Sequence, residues 1–550
     1  MATRTTPATV STTGYSVALP ETDICIVGSG ASGGVLAREL SLQGLSVVVL
    51  EVGPWLDRSR IPTDSAQWEL LTQQYFYADD SAEQLRRDRV TYTASSDPSF
   101  NLSRVKAAGG ATMHYEGFCA RPHPGDLRRK SQTGLAVDWP LSFEELVPHY
   151  DRVEAMLGVS GRLDNPFEPP RAPYPNPAIE MSCAVKRVKK GCDALGLHAA
   201  HAPMAILSRA TNNRAPCNFC GGCWSGCFMG AISNMAQTYL PAAQKTGAEI
   251  RTGAMATRVV VTKNGKRAAG VEYFDADNNL QFQPAKIVAL CGNAVETPRL
   301  LLMSARSDHP DGLANSSGLV GRYFSCHTIA SANGFFNERI DAYKGPNING
   351  MVQDYYDHDD KRDFAGGYVI ALRNAEGGPL RFYKKYAAPK NLFGSDLVAF
   401  VDNQFGRSAS ISAYGEHFAT EADRITLDPQ EKDTYGLPIP QLNINLHANE
   451  HAMLRHMKKT VFDILEAAGA RDIGEALAPG FLGTHLMGTC RMGTDPSTSV
   501  TDPYGKCHDI DNLYIADGSI FPTSTAGNPT ITIQALATRV AQRIGETRRR

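Results

Sequence analysis

The chain has 550 residues, 42 % of them hydrophobic and 20 % charged, with a formal net charge of −2. That is the composition of a globular protein too long for one simple core, so two connected domains are expected. The near-neutral balance offers no field for nucleic acid or an anionic membrane, and no stretch approaches the roughly 20 apolar residues that cross a bilayer.

Residues 1–19 carry neither an apolar signal core nor a twin arginine. They read as a polar, disordered lead-in without an export signal, which leaves a cytoplasmic location as the expectation. Structure is expected to begin at Asp23. The apolar run Ile24–Val27 leads into Gly28-Ser29-Gly30-Ala31-Ser32-Gly33. Val35, Leu36, Leu40 and Leu42 then recur at helical spacing before a second apolar run from Val47 to Leu50. Strand, glycine turn, helix and strand in this order open a dinucleotide-binding unit of α/β class. Gly28 permits the tight turn, Gly30 lets a pyrophosphate approach the backbone, and Gly33 lets helix pack on strand. The N–H groups at the helix start, at Ala31 and Ser32, then face the phosphates. Glu51 ends the second strand, placed to accept hydrogen bonds from a ribose.

Further along, Ala108-Gly109-Gly110-Ala111-Thr112 is a second glycine-rich turn, with His114 four residues after Gly110. Arg258–Val261 and Ala269–Tyr273 flank Asn264-Gly265, a hairpin signal. Lys286–Leu290 predicts a strand and Glu296–Met303 a helix. Near the C-terminus, Leu513–Ala516 predicts a strand and Pro529 to about Ile544 a helix, for which Asn528 is a good N-cap with proline at the first position.

The twelve cysteines are scattered except for Cys217-x-x-Cys220-x-x-Cys223-x-x-x-Cys227. The spacing is that of ferredoxin cluster ligands, with Phe228 where a proline usually follows. A structural zinc site and uncoordinated thiols in a glycine-rich loop are the competing readings. No Cys-x-x-Cys-His occurs, which excludes a covalently attached c-type haem.

Read together, the Gly28–Gly33 turn, Glu51-Val52-Gly53-Pro54, the Gly109-Gly110 turn, His485–Gly493, Leu513–Ser519 and Gly527–Thr530 resemble the glucose–methanol–choline (GMC) oxidoreductases. The resemblance implies FAD rather than NAD, in a Rossmann-like domain made of residues 20–55, 105–125, 214–307 and 480–550. An α+β substrate domain is then inserted in pieces, as residues 56–104, 126–213 and 308–479. Asp517 and Gly518 are implied near the phosphate–ribityl chain, Pro529 and Thr530 near the flavin ring, and Val259 as a further cofactor contact. Several members join the flavin covalently through a histidine at the position of His114; in others it only packs on the flavin.

The resemblance also implies the chemistry. A flavin takes a hydride from an alcohol carbon, so the protein must supply a base and a group that orients the oxygen. His485 is the implied base and Asn528 its partner, where many members have a second histidine. His327, in Gly321–His327, is a lesser candidate, to be read first as a satisfied core histidine. Dehydrogenases of this family acting on fructose, gluconate or glucosides are similar to this chain, and some carry an iron–sulfur cluster near the cysteine run, at a different spacing. A sugar, sugar acid or polyol is therefore the expected substrate. Electrons would pass through a cluster to a cytochrome or quinone-linked acceptor, with a small partner subunit able to carry the chain to the periplasm. An oxygen-using alcohol oxidase, or a lyase of the same family, is the alternative.

Overall fold

The computed structural model describes residues 19–56, 58, 102, 104–223, 226–374 and 378–549, together with the backbone at Thr91 and Tyr92. The expected lead-in lies outside the described residues apart from Leu19, as does most of the 56–104 segment.

Local sequence accounts for the first unit. Thr22–Val27 and Val47–Glu51 are strands and Ala31–Ser41 is the helix between them. They pair in parallel, Ile24 opposite Val47, and Glu249–Thr252 extends the sheet beyond Val47–Glu51. On the other side Thr22–Val27 pairs in parallel with the second half of the long strand Leu280–Leu290, which also takes up Leu513–Ile515. The first half of that strand pairs antiparallel with Ala268–Phe274, and Ala268–Phe274 with Met255–Val261. The Asn264-Gly265 hairpin is therefore present, part of a seven-stranded mixed sheet. The helix expected over Glu296–Met303 spans Asn293–Met303, and the last helix runs over Thr530–Arg549.

The second sheet is not visible in the sequence. Six strands, all antiparallel, run in the order Arg471–Phe481, Thr328–Phe335, Ser408–Gly415, Tyr368–Asn374, Ile348–Val352 and Ala199–His201. Alternation divides its faces. Ala330, Ala332, Ile370, Leu372, Ile411 and Ala413 join a core with Val185, Val188, Met453, Met457 and Val461, from the helices Cys183–Ala194 and Ala448–Ala467. The opposite face carries Ile329, Ser331, Arg373, Ser410, Ser412 and Tyr414, which line a cavity between the two sheets.

The glycine turn sets how closely helix and sheet meet. Gly28 has φ +93°, and a Cβ there would come within 2.6 Å of the Cys291 carbonyl oxygen. At Gly33 a Cβ would lie 1.9 Å from the Gly28 carbonyl oxygen. Gly33→Ala must therefore push Ala31–Ser41 off the strand. The expected loss is about 1–3 kcal/mol, as for overpacked cores, together with weaker FAD retention. Thermal melting and flavin content read both, and an alanine variant that melts and retains FAD like wild type would contradict this packing.

Candidate active site

The two glycine turns face each other. Gly30 would carry a Cβ with nothing nearer than Gly110 Cα at 3.9 Å, so the turn has open space in front of it. Ser29 links them: its Oγ accepts from Gly109 N (3.0 Å) and donates to Glu51 Oε2 (2.7 Å). A cavity of about 750 Å³ begins here, lined by Gly28, Gly30, Ala31, Ser32, Glu51, Gly110 and His114. It continues past Asp517, Gly518, Asn528, Pro529 and Thr530 to His485.

Buried Glu51 accepts from Ser29 N (3.0 Å), Ser29 Oγ and Gly53 N (2.8 Å). A carboxylate has about four acceptor positions, so one remains for a ribose hydroxyl. Burial raises its pKa against the pull of these donors. Asp517 is built the same way, accepting from Asn293 N (2.9 Å), Thr297 Oγ1 (2.5 Å) and Ser519 N (2.9 Å), and burial raises it too. A long cavity between two glycine turns, with a partly satisfied carboxylate along each stretch, fits FAD.

Two expected residues do not reach the cavity wall by side chain or backbone: Gly33 and Gly109 act behind it, in packing and through Ser29. Val259 is a correction. It is 2 % exposed in the core, its N–H bonded to Ser304 Oγ (3.0 Å), and Ala254, Met255 and Ala256 line the cavity instead. The bulged pairing of this hairpin, shifted between Ala256 and Arg258, turns Val259 inward.

At the far end, three side chains form a chain of hydrogen bonds. His327 Nε2 lies 2.6 Å from the Thr525 carbonyl, His327 Nδ1 lies 2.9 Å from His485 Nδ1, and His485 Nε2 lies 3.2 Å from Asn528 Nδ2. A carbonyl only accepts, so His327 Nε2 carries the proton. Burial lowers the His327 pKa to about 4, so the ring is neutral near pH 7 and its Nδ1 is an acceptor. His485 must then donate from Nδ1, which leaves its Nε2 as a lone pair beside Asn528. Burial, then His327, then Arg373 lower the His485 pKa well below the usual value. The result is an unprotonated nitrogen aimed into the cavity.

His327 is fully buried and does not line the cavity. It positions His485 rather than contacting what binds there. The Asn528 side-chain oxygen is buried and has no hydrogen-bond partner, so Asn528 does not cap the helix after it. Its amide is turned to His485 instead.

The sequence reading missed the other wall. Partly buried Arg373 donates to Tyr414 Oη and Glu116 Oε1, both at 2.5 Å, and the Tyr414 ring stands edge-on to His485 with centroids 5.8 Å apart. Ser331 Oγ donates to Ser412 Oγ (3.0 Å) beside them. The only signal was period-two spacing of Ser410, Ser412 and Tyr414.

The cysteine run backs onto this cavity. Cys217, Cys220, Cys223 and Cys227 all line one small void, and Gly221 lines both that void and the main cavity. Phe219, Gly221, Gly226 and Cys227 have positive φ, which coils the loop. Ser225, within this loop, lies outside the described residues. Main-chain N–H groups of Phe219, Gly222 and Asn347 point at the sulfurs of Cys217, Cys220 and Cys223. Burial raises these three thiols, Cys217 to about 11.

A profile of the GMC oxidoreductase N-terminal part matches residues 23–329, and one of the C-terminal part matches 420–537. The chain belongs to the GMC oxidoreductases. It is 34 % identical over 536 residues to the 2-methyl-1,2-propanediol dehydrogenase of Mycolicibacterium austroafricanum, covering 95 % of each chain. It is 28 % identical to the fructose dehydrogenase large subunit of Gluconobacter japonicus, covering 95 % of this chain and 97 % of the relative. Among solved structures, pyridoxine 4-oxidase from Mesorbium loti superposes with TM-score 0.63 at 19 % identity, over 95 % of this chain and 98 % of that one, a likeness of fold. The protein is thus an FAD-dependent oxidoreductase acting on alcohol groups. Among the described residues no helix is long and apolar enough to cross a membrane.

The neutral histidine pair has a consequence for stability. Unfolded, His327 takes a proton near its usual pKa of about 6.5; folded, it resists until about 4. Between these values the unfolded state binds more protons, so the His327 contribution falls as pH falls. His327→Asn lacks that titration. The stability gap between wild type and His327→Asn should narrow by up to about 3 kcal/mol from pH 6.5 to pH 4. Denaturant unfolding at a series of pH values measures it, and a constant gap would contradict a neutral buried His327.

Proposed function

We propose that this GMC oxidoreductase is a dehydrogenase for a small polyhydroxy alcohol, a diol, polyol, sugar or sugar acid, and hands its electrons to a partner rather than to dioxygen. The observation that carries this reading is the polar sheet face opposite His485. Arg373, Tyr414, Ser331, Ser410 and Ser412 are bonded among themselves, to Glu116 and to the Ala332 carbonyl, and their remaining donor and acceptor positions suit hydroxyls beyond the one oxidised better than a long apolar chain. The diol, fructose and gluconate dehydrogenases among the relatives favour the same substrate class.

His485 Nε2 is the base that takes the hydroxyl proton, and Asn528 Nδ2 turns from that nitrogen to donate to the substrate oxygen, which frees the Nε2 lone pair. When bound, FAD supplies the hydride acceptor, at N5 of its ring. Glu51 and Asp517 would hold its ribose and ribityl hydroxyls, the N–H groups of Ala31 and Ser32 its phosphates, and Pro529 and Thr530 its ring. His114 stands at the wall where a covalent link would form; flavin left in an acid pellet would reveal one.

The cysteine loop suits an iron–sulfur cluster by its ligand spacing in sequence and by the N–H groups aimed at three of its sulfurs. When bound, a cluster would supply one-electron transfer, matched to a cytochrome or quinone-linked acceptor, and Cys217, Cys220, Cys223 and Cys227 would hold it. The fructose relative is named a large subunit, which favours a smaller partner here too, one able to carry this chain to the periplasm.

His485→Ala should bind FAD and reduce it about a hundredfold or more slower with substrate under anaerobic conditions. Asn528→Ala should slow reduction less and leave the melting temperature unchanged, since its oxygen caps nothing. Wild-type reduction rates in His485→Ala, measured by stopped flow, would place the base elsewhere.

Flavin bleaching across diols, sugars, sugar acids and long-chain alcohols tests the substrate class, and Arg373→Lys should weaken polyol turnover at least tenfold. Cys220→Ser with Cys223→Ser should leave anaerobic flavin reduction intact and stop transfer to a one-electron acceptor. Bleaching by long-chain alcohols alone would overturn the substrate, rapid oxygen use without iron would make the protein an oxidase, and no bleaching by any alcohol would favour a lyase.

A further inference from the structure

Away from the flavin cavity, three side chains from separate segments converge. His417 follows the strand Ser408–Gly415, Asp423 precedes the strand Arg424–Lys432, and His447 stands just before the helix Ala448–Ala467. One ligand atom from each lies within 4.8 Å of the other two. None of the three lines the flavin cavity. We propose that His417, Asp423 and His447 bind a divalent transition-metal cation of the zinc class.

The orphaned imidazole is the first support. His417 is 1 % exposed, and neither of its ring nitrogens has a hydrogen-bond partner. The Asn445 main chain lies near enough to favour a ring proton, but outside hydrogen-bonding geometry. A buried polar ring left unsatisfied is a cost that native structures rarely carry without a role. The ring stacks at 14° to that of His447, centroids 6.1 Å apart, and Phe481 closes over it edge-on at 4.9 Å.

The carboxylate is the second support. Asp423 is fully buried, and main-chain and hydroxyl donors fix it: Asn445 N at 2.8 Å on Oδ1, Thr420 N at 2.7 Å and Thr420 Oγ1 at 2.9 Å on Oδ2. Its Oδ2 also takes His447 Nε2 at 3.1 Å. Around a zinc with bonds of about 2.0–2.2 Å, tetrahedral ligand atoms sit roughly 3.3–3.6 Å apart. The Asp423–His447 pair is already near that spacing. On binding, His447 would move its proton to Nδ1, and His417 would turn one lone pair to the ion. Two imidazoles and a carboxylate suit zinc, iron(II), cobalt or nickel, and not calcium or magnesium, which prefer all-oxygen sites. The His447 side chain is 34 % exposed, which provides a way in and a place for water as fourth ligand.

The position implies a structural role. His417 N donates to Ser524 Oγ (2.9 Å), and Ser524 Oγ donates back to the His417 carbonyl (3.0 Å). Ser524 precedes Thr525, the residue that orients His327. Phe324 N donates to the Asp423 carbonyl (2.8 Å). A cation here would tie together the loop, the long helix and the segment behind the active-site histidines.

The test uses FAD-loaded holoenzyme stripped with chelator, then titrated with zinc or cobalt alone and read by metal analysis, melting and absorption. His447→Gln is the variant, being partly exposed and outside the catalytic machinery; unchanged FAD content and circular dichroism certify its fold. Wild type should take up one cobalt without a sulfur-to-metal charge-transfer band, which separates this site from the cysteine loop. Zinc should raise the wild-type melting temperature, and His447→Gln should bind at least tenfold more weakly and show no such rise. Failure of zinc, cobalt, nickel and iron(II) to bind except through the cysteines would overturn the proposal. Equal binding by His447→Gln would do so as well, leaving an Asp–His pair beside a buried neutral histidine.

Discussion

The hydrogen bond from His327 Nε2 to the Thr525 carbonyl is the constraint on which the active-site end of the cavity depends. A main-chain carbonyl cannot donate, so one proton is assigned without ambiguity, and every other proton in the row follows from it. The buried, neutral state of His327 keeps its second nitrogen an acceptor. His485 is thereby held in the tautomer that presents a lone pair to the cavity. Placing the orienting group behind His485 lets burial set its protonation while His485 itself stays on the cavity wall. The constraint extends outward, since Thr525 adjoins Ser524, whose hydroxyl is bonded both ways to the His417 backbone.

The rest of the cavity is shaped by what is absent. Gly30 and Gly110 set backbone against backbone where two turns meet on the path a dinucleotide follows, while Gly28, Gly33 and Gly109 allow the close packing behind it. Glu51 and Asp517 are each held by three protein donors, so their orientation does not depend on the cofactor. The substrate end is built differently, from alternate positions of antiparallel strands. One face of each strand feeds a helical core and the other supplies Arg373, Tyr414 and the serines. The helical core and the polar cavity wall thus share the same three strands, on opposite faces.

Legibility from sequence followed range. The opening strand–turn–helix–strand, the Asn264-Gly265 hairpin and the last helix were readable because their signals are local: apolar periodicity and glycine at fixed offsets. The six-stranded sheet was not. Its strands carry Ser331, Ser410 and Ser412 where a core strand would carry apolar residues, and Thr328–Phe335 pairs with Ser408–Gly415 across a long separation. Asn528 illustrates the same limit. Asparagine before proline signals a helix cap, yet the amide is drawn to His485, a partner 43 residues away. His327 looked like one core histidine among fourteen, and burial alone gave it its role. Val259 has the right strand but the wrong face, because a bulge shifts the register.

The order of protons along Thr525, His327, His485 and Asn528 is open to direct measurement. In protein labelled with 15N-histidine, nitrogen shifts and one-bond N–H couplings at neutral pH identify the protonated nitrogen of each ring, assigned by His327→Asn and His485→Ala. The account predicts two neutral imidazoles, His327 protonated at Nε2 and His485 at Nδ1. A His485 ring carrying its proton on Nε2, or doubly protonated at pH 7, would contradict it.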